Sequence, residues 1–245
     1  MTFVHQHLEE LDSTNNALWE LSEKVSLTEF HTISTDYQWS GRGQDTNNWF
    51  SSKGQNILFS TLVFPEFLNA AHAFQLSRWV SLSILEYLYN LGMKKLSVKW
   101  PNDIYVGNQK IAGILIQNSI SGENLSKSMV GIGLNVNEKE FPQELPNPVS
   151  LFQLVRREFL LLEESYHLMG ILQKNYELLK KSPQKILNQY HKKLYRLNVW
   201  SKYQIKDHMI EGKIIGVDEY GRLGLKNRGG SISYFDLKEV KFIIA

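Results

Sequence analysis

The segment 99–113, KWPNDIYVGNQKIAG, restricts the chain more than any other stretch. Pro101 fixes φ and removes a backbone donor, so it helps set a turn at the entrance to a strand. Asn102 and Asp103 place a neutral amide beside a carboxylate at the head of an apolar run. Gly107 and Asn108 tolerate the positive φ of a tight hairpin turn, so 103–106 and 110–117 read as paired strands. That pairing returns Lys110 to the neighbourhood of Asp103. Ala112 and Gly113 follow the lysine and leave room for a ligand beside the strand. Two readings fit these residues alone. One is an Asx-type turn followed by an ordinary edge-strand lysine. The other is a site whose amide and carboxylate hold ribose hydroxyls, a metal or water.

The rest of the chain supplies a frame for this hairpin. Ser13, Thr14, Asn15 and Asn16 offer N-cap groups before Ala17, Leu18, Leu21 and Val25, which predicts a short helix. Residues 30–37 read as a strand, 38–55 as a polar loop with glycines, and 56–64 (NILFSTLVF) as a buried strand stopped by Pro65. Apolar positions at helical spacing predict a helix over 68–91, with Gly92 as its C-cap. Short strands follow at 96–99 and 128–135, flanking the hairpin. Residues 151–181 read as two helices broken near Ser165 and Tyr166, and Pro183 starts another helix ending near Leu194. From about Arg196 the texture changes to closely spaced β-like runs at 199–205, 209–217, 221–225 and 231–235. The predicted architecture is α+β: a mixed, mostly antiparallel sheet with helices on one side, then a small β-barrel. The expected division is 1–195 and 196–245.

Two further segments carry chemistry. Gly41-Arg42-Gly43-Gln44 lies in QWSGRGQDTNNW, between Gln38 and Trp49. Glycines let backbone N–H groups approach an anion, and Arg42 can fork onto a carboxylate or phosphate. No Gly-Lys-Ser/Thr follows, so this is not a P-loop. Taken alone, the tripeptide equally describes a flexible turn with a solvated arginine. Gly131-Ile132-Gly133-Leu134-Asn135 ends a strand with alternating glycines on one smooth face. A β-bulge is its plain alternative.

In combination these segments closely resemble the biotin protein ligase family. The GRG…W loop, the KWPND…KIAG hairpin and the G-x-G-hydrophobic-N strand occur in its order. Ser13-Thr14-Asn15 matches the family's STN element. The segment 216–223, GVDEYGRL, resembles its small SH3-like domain. The resemblance implies a class II synthetase-like fold and an enzyme that makes biotinyl-5′-AMP from biotin and Mg-ATP. It then passes biotin to a lysine of a biotin carboxyl carrier domain of a carboxylase. It implies that Lys110 bridges the reacting oxygens. Arg42 and the backbone of Gly41 and Gly43 hold the phosphate side, and Asp103 helps receive the proton of the incoming lysine. It places Ser13, Thr14, Asn15 and Gln38 at the biotin ureido ring, and Gly113, Gly131 and Gly133 around the ring and valeryl chain. Trp49, Asn102, Asp103 and Asn135 fall near the nucleotide; the metal ligands stay unassigned. Gln44 departs from the pattern, since many members carry a second arginine there. The loop is then expected to grip the adenylate less firmly. The STN element begins at residue 13, so the expectation is a ligase without a DNA-binding repressor role, as a monomer or homodimer. A lipoate or octanoate ligase, or a non-catalytic biotin or nucleotide sensor, is the alternative.

Composition limits the choice further. Cysteine is absent, which removes disulfides, thiolate zinc sites and cysteine nucleophiles. No membrane-length apolar run or secretory signal is visible, and a cytoplasmic protein is expected. Residues 1–65 carry three basic and eight acidic side chains, whereas 166–245 carry fifteen and seven. The basic end reads as a solvated surface, or as a face for nucleic acid or an acidic protein partner. No helix-turn-helix or RNA-binding signature accompanies it.

Overall fold

The computed structural model describes residues 4–43 and 48–243. A seven-stranded mixed sheet forms its centre, in the order β1-β2-β3-β7-β6-β5-β4. The strands are β1 (His5–Leu11), β2 (Thr32–Gln38), β3 (Asn56–Val63), β4 (Leu96–Lys99), β5 (Asp103–Val106), β6 (Gln109–Ser121) and β7 (Asn124–Asn135). Only β1 and β2 run parallel; the other neighbours are antiparallel.

Strand β3 is buried along its whole length because both its faces are covered. Ile57, Phe59 and Val63 join the main core beneath α2 (Phe74–Asn90) and α4 (Leu161–Lys181). Leu62 points the other way and packs with Leu18 of α1 (Thr14–Lys24), Ile33 and Met129. The larger helices thus lie on one face, as expected, while the short α1 lies on the opposite face. Two short helices complete the set, α3 (Leu151–Val155) and α5 (Pro183–Lys192). No helix among the described residues is long and apolar enough to cross a membrane.

Several expected boundaries move. The helix predicted from residue 68 starts at Phe74. Leu68 and Ala70 instead form backbone bonds with Leu125 and Glu123, and Asn69 Oδ1 caps a 3₁₀ turn over Ala70–His72. The break predicted near Ser165 lies at Arg156, which adopts left-handed φ of 56° and ends α3. Ser165 sits inside α4 with its hydroxyl bonded to Leu161 O, a geometry a helix tolerates. Strand β1 was not foreseen. Its sequence, HQHLEEL, lies at the sheet edge and is mostly exposed, so no apolar alternation marks it. Gly92 does end α2, with φ of 86°.

The C-terminal strands form a second, five-stranded antiparallel sheet in the order β11-β10-β9-β8-β12. They are β8 (Trp200–Ile205), β9 (His208–Val217), β10 (Leu223–Lys226), β11 (Ile232–Phe235) and the unforeseen β12 (Val240–Phe242). This is the β-rich end that the closely spaced strands predicted. Its core is continuous with that of the large sheet, since Tyr203, Ile214, Val217 and Leu223 belong to the same buried cluster as α2. Polar ties reinforce the contact. Fully buried Arg78 of α2 donates to Asp218 O, and Trp100 Nε1 donates to Gly221 O at 2.8 Å.

Candidate active site

A cavity of about 810 Å³ opens where the glycine-bearing ends of β6 and β7 meet the Gly41–Trp49 loop. Ser13, Thr14, Asn15, Gln38, Arg42, Gly43, Trp49, Asn102, Asp103, Lys110, Gly113, Gly131, Gly133 and Asn135 all line it. Two expected residues differ. Gly41 closes the base of the loop instead, with Trp49 N donating to its carbonyl at 2.9 Å. A Cβ at Gly41 would stand 2.8 Å from Trp49 O, so glycine is required there for backbone approach. Gln44 lies outside the described residues.

At one end stand the charges. Asp103 pairs with Gly113 and Ile104 with Ala112, but a bulge shifts the register so that Tyr105 pairs with Lys110. In a regular ladder Lys110 would face away from Asp103, because successive side chains alternate. The bulge turns Ile111 into the core and Lys110 onto the Asp103 face. Lys110 Nζ then lies 2.6 Å from Asp103 Oδ1. Lys99 Nζ holds the other oxygen, Oδ2, at 3.1 Å. Beside them, burial pushes the Tyr105 hydroxyl up to about 12, with the Asn147 hydrogen bond opposing the shift.

At the other end is a buried polar cluster. Gln38 Oε1 accepts from Thr14 N at 2.8 Å and from Thr14 Oγ1 at 3.1 Å. Ser13 makes no side-chain cap for α1, so Gln38 satisfies one of the helix's free first-turn amides. Ser60 Oγ donates toward Asn15 Oδ1 at 2.5 Å and lies 2.7 Å from Thr14 Oγ1, while Asn15 Nδ2 reaches Leu115 O.

Between these ends runs a floor of glycines, with Gly113 opposite Gly133 and Gly131 opposite Leu115. The indole of Trp49 lies on that floor. A Cβ at Gly113 would come 2.8 Å from Trp49 Cζ3, and one at Gly133 would overlap the same ring. At Gly131 it would overlap the Asn15 amide. The glycines therefore admit protein side chains on the strand face where a smooth surface is expected. Lys110 Nζ sits 5.4 Å from the Trp49 ring centroid, and Trp49 Nε1 is buried without a partner among the described residues.

Asn102 and Asn135, expected near the nucleotide, line the cavity but bond to backbone. Asn102 Nδ2 donates to Ile114 O at 2.8 Å, and Asn135 Nδ2 to Val149 O at 3.1 Å. Backbone bonds from Lys110 N to Asn147 O and from Val149 N to Lys110 O hold the segment 147–149 against Lys110. Sequence reasoning gave no role to Lys99, Phe141, Glu144 or β12, which also line the cavity. Lys99 was visible within KWPND; the others carry no local signal.

The comparisons with known proteins follow this geometry. The model of the biotin/lipoate A/B protein ligase family matches residues 8–135, slightly over half of the chain. The Escherichia coli K12 bifunctional ligase/repressor BirA is 32% identical over 137 residues, covering 56% of this chain and 42% of that protein. The Bacillus subtilis BirA is 25% identical over 236 residues, covering 92% of this chain and 71% of its own. The chain thus spans under half the length of the Escherichia coli relative. Among solved structures, the biotin protein ligase from Aquifex aeolicus in complex with biotin and ATP aligns at a TM-score of 0.80. It is 27% identical, with 98% of this chain and 99% of that chain covered. The Leishmania major biotin protein ligase, at 17% identity and a TM-score of 0.64 over 97% of this chain and all of that one, shares the fold. With a matched family model across the site-bearing part of the large sheet, the chain belongs to the biotin/lipoate A/B protein ligase family.

Proposed function

We propose that the protein is an ATP-dependent biotin–protein ligase. It joins biotin to ATP as biotinyl-5′-AMP, releases pyrophosphate, and transfers biotin to a lysine of a carrier domain of a biotin-dependent carboxylase. The observation that carries this reading is the bulge that turns Lys110 onto Asp103 at one end of a cavity whose other end is the Thr14–Gln38–Asn15 cluster. From Lys110 to Leu115 the strand rises roughly 16 Å at about 3.3 Å per residue. A ligand with a hydrogen-bonding head, an apolar body and a carboxylate tail suits that spacing, and biotin is such a ligand.

The chemistry joins two anions, so fixed cations are required at the reacting oxygens. Lys110 leaves Asp103 to bridge the biotin carboxylate and the α-phosphate, and Arg42 takes the phosphate side. The ureido ring bonds to the polar cluster, and the ring and valeryl chain lie over the glycines. Trp49 moves off that floor and offers its face to the adenine. ATP would bring magnesium as the counterion of its triphosphate. Among the described residues no group of three or more His, Asp or Glu side chains could hold a metal. The small sheet closes one side of the cavity through Val240, Lys241 and Phe242, and we place the division between the two units near residue 195.

Purified protein, labelled biotin, ATP and a biotin carrier domain test the reading. Label should enter the carrier lysine only when ATP is present. Incorporation of lipoate or octanoate in place of biotin would overturn it in favour of the family's other branch. Biotin binding without pyrophosphate release would mark a sensor.

A further inference from the structure

Asp103 is held by two ammonium groups, and they are held differently. Lys99, Asp103 and Lys110 side chains are 18%, 13% and 30% exposed. Lys110 is the more open cation, and its neighbours are Asp103 and the face of Trp49. Lys99 is enclosed. Its Nζ lies 5.6 Å from the Tyr105 ring centroid in the large sheet and 5.2 Å from that of Phe242 in the small one. Its backbone is also paired with that of Asp103 across the β4–β5 ladder. Aromatic faces attract a cation and restrict its movement.

In the reaction proposed above, on which this inference rests, Lys110 serves the carboxylate and phosphate oxygens. Asp103 then keeps one partner. We infer that Lys99 is a positioning residue for the second half-reaction, holding Asp103 through Oδ2 so that Oδ1 faces the incoming carrier lysine once Lys110 has turned to the adenylate. Oδ1 takes one proton from the lysine ammonium. The freed amine attacks the acyl carbonyl, and a C–N bond forms. The C–O bond to phosphate breaks, and AMP leaves with that electron pair. The second proton leaves the nitrogen for water. Phe242 makes the small sheet part of this arrangement, since it forms one wall around Lys99.

The two half-reactions separate this role from a general structural one. Lys99→Met should slow single-turnover transfer from supplied biotinyl-5′-AMP to the carrier about 100-fold, the cost of displacing a reacting group by about 1 Å. Pyrophosphate release on mixing with biotin and ATP should change less than about threefold, because Lys110 and Arg42 remain. Lys99→Arg, which keeps a cation against both rings, should restore most of the transfer rate. Equal slowing of both half-reactions, or transfer at the wild-type rate, would overturn the inference. Failure of Lys99→Arg to recover transfer would do the same. Wild-type protein that releases no pyrophosphate with biotin would instead sink the underlying activity. The intact first half-reaction of Lys99→Met serves as its own control for folding.

Discussion

The two segments that meet over the glycine floor are secured in opposite ways. The hairpin 99–113 is embedded in a sheet, with strand pairing on both sides and an ion-paired carboxylate at its end. The loop between Gln38 and Asn56 is held instead by a few local bonds. Gly41 O accepts from Trp49 N, and Arg42 bridges Asn48. At its exit, buried Glu138 accepts from Ser52 N at 3.1 Å, Ser52 Oγ at 2.7 Å and Asn56 Nδ2 at 2.7 Å. The difference separates two tasks. Charges that meet a reacting centre need a fixed address, since small displacements are costly. In the function proposed above, Trp49 leaves the glycine floor, which a segment tied by few local bonds permits.

The largest effect expected from this comparison is on the fixed side. Lys110→Ala should lower the rate of adenylate formation by about 100- to 1000-fold, roughly 3–4 kcal/mol of lost electrostatic stabilisation. Pyrophosphate release measures it, and near-normal release would break the distinction between the segments. Gly133→Val tests the floor that both segments share. Its branched side chain would occupy the Trp49 seat, and calorimetry should record biotin affinity reduced by about tenfold or more, the scale of 1.4 kcal/mol.

On the hinged side, Glu138→Gln keeps one oxygen for Ser52 N and Asn56 Nδ2 but turns an amide NH2 toward the third donor, Ser52 Oγ. The mismatch should cost about 1–3 kcal/mol in stability, the usual penalty for buried polar groups left unpaired. Thermal unfolding measures that loss, and adenylate should also escape faster in a release assay. Release at the wild-type rate would mean that the exit hinge does not govern the loop. The smallest effect is expected at Gln44→Arg, which adds one cation two residues along the chain from Arg42. It should slow adenylate release by a few-fold at low salt, the scale of a single added charge contact of under about 1 kcal/mol. Unchanged release would show that the loop's grip is independent of charge at this position.

The two segments were also unequally legible. Strands 96–99 and 103–106 occupy the residues expected of them, because turn residues and apolar runs mark both ends. The gathering of Ser13–Asn15, Gln38, the loop and the glycine strand at one cavity was legible only through the family's motif order, since these residues lie up to 120 positions apart. Roles within that group shifted when neighbours became visible. Asn102 and Asn135 hold backbone carbonyls, and Gly113 and Gly133 accommodate Trp49. Lys99 stood in the motif, yet its two aromatic walls come from different sheets and have no sequence proximity.

By itself the sequence determined which residues are chemically competent and which local shapes they prefer. Pro101, the Gly107 turn and the glycine pairs act through their own backbone conformations, which a linear reading captures. Only the tertiary structure decided that Lys110 faces Asp103. That outcome depends on a one-residue bulge against β5, and strand register is a property of the pair. The same holds for the enclosure of Lys99 by Phe242, which required the second sheet to dock against the first through one continuous core. Side-chain type can be read along a chain, but the direction it faces and the partner it meets are set by packing.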